Sequence, residues 1–120
     1  MSRPAIQRLI FRLLWVLGIL AAVVGSLSSD LKPPAGGVID KFQHIGAYMV
    51  LSGLAIFSFR SMSKRLGAVT FLFLLGIAIE IAQAFAGREA SALDQLANTI
   101  GIVLGATLCL GAGRLVRKQI

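Results

Sequence analysis

Three groups of polar residues interrupt a chain that is otherwise mostly apolar, and their types are those that move protons and hold ions. Asp40, His44 and Tyr48 recur at every fourth position, with Lys41 beside the first of them. On an α-helix that spacing puts all three on one face. Glu80 and Gln83 lie three apart, and Asp94 and Asn98 four apart, so each pair also shares a helix face. A histidine among carboxylates can serve as a base with its orienting partner. Lys41 and Arg88 are the cations available to a phosphate or carboxylate group, Arg88 in bidentate fashion. If the chain catalyses anything, the candidates are His44, Glu80 and Asp94. No strong nucleophile accompanies them, because Cys109 sits in an apolar run and Ser91 has no recognisable elbow around it. A metal site of His44 and carboxylates is possible on ligand type, but with one histidine and no His-x-x-x-His or cysteine pair neither a metal nor another cofactor is expected.

The elements that must position these residues follow from composition. Of 120 residues, 57% are hydrophobic and 14% charged, with a mean hydropathy of +0.85. Soluble domains carry about a quarter charged residues, and a chain this small needs polar residues to cover its surface. The balance excludes a soluble enzyme, a disordered tail and a nucleic-acid-binding module. It predicts an all-α membrane protein whose four transmembrane helices form a compact antiparallel bundle, a single domain with spans at about 9–27, 40–60, 66–86 and 93–113. Pro33-Pro34 and Gly36-Gly37 mark the longest loop as helix-breaking. Asp40 is the expected cap of the second helix, and Asp94 or Ser91 that of the fourth.

Charge then gives orientation. Arg3, Arg8, Arg12, Arg60, Lys64, Arg65, Arg114, Arg117 and Lys118 fall on one side of a four-span chain, which accounts for most of the net charge of +7. By the positive-inside rule both termini are cytoplasmic. An alternative for the first span is a cleavable secretory signal ending near Ser26-Leu27-Ser28.

In this topology the polar groups gather at one depth. At 1.5 Å per residue, Glu80 lies ~9 Å and Asn98 ~7 Å below the outer boundary, and His44 ~6 Å along from Asp40. The inner halves of the spans are almost wholly apolar. An ionised Glu80 facing lipid would cost roughly 2.5–3.5 kcal/mol, so it must be protonated, paired or hydrated, with His44 or Asn98 as the expected partner. Ala97, Gly101, Gly105, Cys109 and Gly113 form a strip of small residues that allows close packing, within the bundle or between two copies in a homo-oligomer.

These motifs together resemble a known family. Asp40-Lys41-x-x-His44-x-x-x-Tyr48 is similar to the first element of VanZ-like membrane proteins. Glu80-x-x-Gln83, followed by Arg88-x-x-Ser91-x-x-Asp94-x-x-x-Asn98-x-x-Gly101-x-x-x-Gly105, resembles the second in order and spacing. The resemblance covers positions 40–105 and implies a four-span bacterial membrane protein, the namesake being associated with lowered susceptibility to teicoplanin. It marks Asp40, His44, Tyr48, Glu80, Gln83, Arg88, Asp94 and Asn98 as family positions. With Lys41 they make an outward polar pocket for a membrane lipid or a lipid-linked cell-wall intermediate. Two readings stay open beside it: an enzyme acting on a lipid-linked substrate, and an assembly partner whose polar layer is interhelical glue.

Overall fold

The computed structural model describes residues 1–28, 37–87 and 91–119, and its regular structure is α-helical. Helix α1 spans Arg3–Leu27, α2 Val38–Ser58, α3 Met62–Phe85 and α4 Ala92–Gln119. Local chemistry sets their ends. Pro4 sits in the first turn of α1, where its missing N–H costs nothing. Ser61 Oγ accepts the Lys64 N–H at 3.3 Å and caps α3. After α3 the chain turns through Gly87 at φ 79°, a left-handed conformation suited to glycine. Ser91 Oγ accepts the Asp94 N–H at 3.4 Å, so the cap of α4 is Ser91 and not Asp94.

Asp40 does not cap α2. The helix begins two residues earlier, after Gly37 with no side-chain cap, and Asp40 lies in its first turn. There its negative charge faces the positive end of the helix dipole.

The helices overrun the apolar stretches at their basic ends. α1 starts at Arg3, α3 at Met62, and α4 continues to Gln119. Lys, Arg and Gln are good helix formers, so backbone hydrogen bonding continues beyond the apolar segment. Among the described residues, α1, α3 and α4 are long and apolar enough to cross a membrane. α2 is less clearly apolar. Asp40, Lys41, Gln43 and His44 fill its first two turns.

Packing explains how α2 carries that polarity. It makes its most extensive contacts with α4 and the next most with α1. Seven of its residues are buried, including Tyr48, Leu51 and Ile56, whereas α1 buries none and exposes Leu13, Leu17, Leu20 and Val24. A central helix can place polar groups against protein rather than lipid. The α2–α4 seam is closed by the small-residue strip. A Cβ on Gly101 would meet the backbone carbonyl of Ile45, one on Gly105 that of Met49, and one on Gly53 would lie 3.0 Å from Cys109 Sγ. Partner numbers rise together on both helices, so α2 and α4 run in the same direction. Gly101, Gly105 and Cys109 of the strip are thus packed within the chain against α2. The core beneath it joins Tyr48, Leu51, Leu72 and Ile102, with Trp15 and Ile19 of α1 packed against them.

Candidate functional site

The parallel, closely seated α2 and α4 bring their first turns side by side. The Lys41 ammonium forms an ion pair with Asp94 Oδ1 and lies 3.8 Å from Asp40 Oδ2. His44 Nε2 lies 3.8 Å from Asp40 Oδ1 and 3.8 Å from Asp94 Oδ2. Each carboxylate therefore turns one oxygen towards the lysine and the other towards the imidazole. One donor atom from each of Asp40, His44 and Asp94 falls within 4.8 Å of the others. Asp94 and Asn98 are buried, while Asp40, Lys41 and His44 are half-buried.

A chain of hydrogen bonds fixes which way the imidazole faces. The Phe73 carbonyl can only accept, so Gln95 presents its Nε2 there, at 3.2 Å. Its Oε1 is then left to accept from Asn98 Nδ2 at 3.3 Å. Asn98 Oδ1 in turn faces His44 Nδ1 at 2.8 Å, so Nδ1–H is the donor of that bond. In the neutral imidazole this leaves the lone pair on Nε2, aimed at the two aspartates. Gln95 escaped the sequence reading. The signal for it was its position three residues before Asn98 on the same helix face.

Glu80 is buried as expected but has a different partner. Its Oε2 accepts the Ser91 backbone N–H at 3.0 Å, next to the positive end of α4, rather than a bond from His44 or Asn98. Its Oε1 is buried and has no hydrogen-bond partner among the described residues. Gln83 is drawn away from the cluster: its Nε2 donates to the Ser26 carbonyl at 2.7 Å and ties α3 to the end of α1. Tyr48 belongs to the apolar core, at 4% exposure. Arg88 lies outside the described residues. The eight expected positions that lie among the described residues thus divide. Asp40, Lys41, His44, Asp94 and Asn98 meet, Glu80 stands one turn of α4 away, and Tyr48 and Gln83 serve packing.

Beside Glu80 an open cleft of about 590 Å³ runs between α3 and α4, lined by Ile77, Ile81, Ala84, Phe85, Ser91 and Gln95 among others. Gln95 both lines this cleft and holds Asn98, so the cleft and the polar cluster share a wall.

A family model described as VanZ/LLP1 matches residues 6–116, a stretch that contains every residue of the cluster and of the cleft. The chain belongs to the VanZ/LLP1 family. No curated protein and no solved structure matches it. The VanZ/LLP1 match takes in all four helices, so it covers the first helix as well as the two polar elements that carried the resemblance. In this VanZ/LLP1 protein, then, helices α2 and α4 together hold a charged pair, an oriented imidazole and a carboxamide relay. Such a set can recognise a polar or ionic group by charge and by direction.

Proposed function

We propose that this VanZ/LLP1 protein crosses the bacterial cytoplasmic membrane four times, with both termini cytoplasmic. At its outer end it binds the polar head of a lipid or lipid-linked envelope molecule. The up-and-down bundle this requires is supported by contact pairs that run in opposite senses on neighbouring helices. On α1 and α2, Phe11 stacks on Phe57 while Gly18 meets Leu51. On α3 and α4, Phe73 meets Gln95 while Glu80 meets Ser91. α2 spans despite its polar turns because α4 and α1 cover it.

The observation that carries the binding reading is the shared wall between cleft and cluster. An amphiphile lays its tail along Ile77, Ile81, Ala84 and Phe85 and its head towards Glu80, Lys41 and His44. Glu80 Oε1 supports this arrangement, since a buried acceptor without a partner costs about 1–3 kcal/mol until a donor reaches it. A lipoglycopeptide such as teicoplanin is an amphiphile of the same kind, and altered susceptibility to it belongs to the same reading.

The test is extraction in mild detergent followed by mass spectrometry of the co-purified lipids. Wild type is expected to carry one enriched species. A84W, which fills the cleft without touching the cluster, and the double variant H44A/E80Q are each expected to lose it. Lipid profiles identical in all three proteins would refute the binding reading.

A further inference from the structure

We infer that Asp40, His44 and Asp94 form a binding site for a divalent cation of the zinc type. The inference is independent of the amphiphile reading, because it rests on what these three side chains require of one another.

Three acceptors converge where a donor would be expected. The relay from the Phe73 carbonyl through Gln95 and Asn98 leaves Nε2 of neutral His44 with a lone pair, and this atom faces one oxygen of each aspartate at 3.8 Å. A proton on Nε2 would give ion pairs at 3.8 Å but no hydrogen bond, since an N–H···O bond needs about 2.7–3.2 Å. Mutual repulsion of three lone-pair groups is relieved by a cation among them. The spacing suits one: an ion in the plane of three atoms 3.8–4.8 Å apart sits about 2.2–2.5 Å from each, close to the ~2.0–2.2 Å of zinc–nitrogen and zinc–oxygen bonds.

The surroundings resemble a metal site's outer shell. A ligating histidine characteristically donates its other ring N–H to a fixed acceptor, which is the part Asn98 Oδ1 plays here. Lys41 does not occupy the position, because it holds Asp94 Oδ1 and approaches Asp40 Oδ2, the two oxygens turned away from the imidazole. It orients the carboxylates and partly offsets their charge. One imidazole with two carboxylates favours zinc or manganese over magnesium, which prefers oxygen ligands and keeps its waters. Three protein ligands leave a fourth position open to an outside oxygen.

The full-length protein, purified in detergent on a tag without histidine and stripped with a chelator, is titrated with ZnCl2 and its bound zinc is counted. Wild type is expected to take one zinc per chain. H44A and D94N are each expected to weaken binding at least ~100-fold, and N98A by about 10–100-fold through loss of the oriented ring. K41M is expected to bind more tightly, as it removes a positive charge beside the ion. Cobalt added to the stripped wild type is expected to give visible absorption from a nitrogen-and-oxygen site, a readout that needs no variant to fold. Absence of both zinc uptake and the cobalt band in wild type would overturn the inference. So would zinc affinities unchanged in correctly eluting H44A and D94N. Magnesium is expected to leave the zinc titration unaltered. Because A84W leaves the three ligands intact, it is expected to keep its zinc even if it loses its lipid, which separates failure of this site from failure of the cleft.

Discussion

At the start of α2, side-chain charge is set against side-chain charge: Lys41 lies between Asp40 and Asp94, and His44 faces both. At its other end no carboxylate among the described residues is at hand and the arginines turn to the backbone. Arg12 Nε donates to the Ser58 carbonyl at 2.9 Å, and Arg65 Nε to those of Ile56 and Phe59 at 3.0 and 2.8 Å. The Arg12 guanidinium also lies 5.4 Å from the centre of the Phe59 ring. The helix itself explains part of this division, because its last turn presents unpaired carbonyls and partial negative charge, which cations satisfy. The consequence is functional. The arginine end keeps a surplus of positive charge, the signature of an anchoring and orienting surface, and adds Arg8, Arg60 and Arg117 around the same hollow. The aspartate end sets one lysine against two carboxylates and holds them in fixed directions, which suits recognition.

The comparison can be broken most severely at the seam that assembles only the first end. G101V drives a side chain into the Ile45 carbonyl, and separating α2 from α4 there is expected to cost about 3 kcal/mol or more. Thermal unfolding in detergent should show this as the largest loss. D94N should rank next, at about 2 kcal/mol, since it leaves the half-buried Lys41 without its ion pair. The double variant K41M/D94N should recover part of that loss, because the ammonium and its ion-pair partner go together and only the more distant Asp40 loses a cation. A loss no smaller than the single variant's would mean that the pair is not what D94N disturbs. R65A should cost only about 1 kcal/mol, as water at the helix end can replace its bonds to two carbonyls. A larger effect for R65A than for D94N would reverse the contrast drawn between the two ends. The smallest effect, within about 1 kcal/mol, belongs to Q83L, which removes one hydrogen bond to the Ser26 carbonyl at a distance from both ends.

Much of the fold was legible because apolar runs and basic flanks are local signals. The all-helical class and the approximate bounds of every helix could be read from them, as could the role of Gly101 and Gly105 in close packing. That α2 can carry Asp40, Lys41, Gln43 and His44 has a reason that no local pattern holds: it is central, and its neighbours supply the shield. The site was legible as a set of residues but not as an arrangement. The four-residue spacing of Asp40, His44 and Tyr48 put them on one side of a helix, yet Tyr48 lies a full turn deeper, among Leu51, Leu72 and Ile102. Glu80 was correctly expected to need a partner, but the nearest donor was the Ser91 backbone N–H, which side-chain chemistry cannot announce. Spacing along one helix likewise does not show that Asp94 arrives from α4 opposite His44.

The amino-acid order alone determined that this chain is helical, apolar and asymmetrically charged, and which residue types are available for recognition. Those properties depend on transfer free energy and on spacing along one helix, both written residue by residue. Only the tertiary structure decided which groups face one another: the seating of Gly101 and Gly105 against α2 sets the register between two helices, and with it the pairing of Lys41 with Asp94 and of His44 with Asn98. Register is a property of contact between segments distant in sequence, and direction in a hydrogen-bond relay depends on where the relay is anchored, here the carbonyl of Phe73 on a third helix.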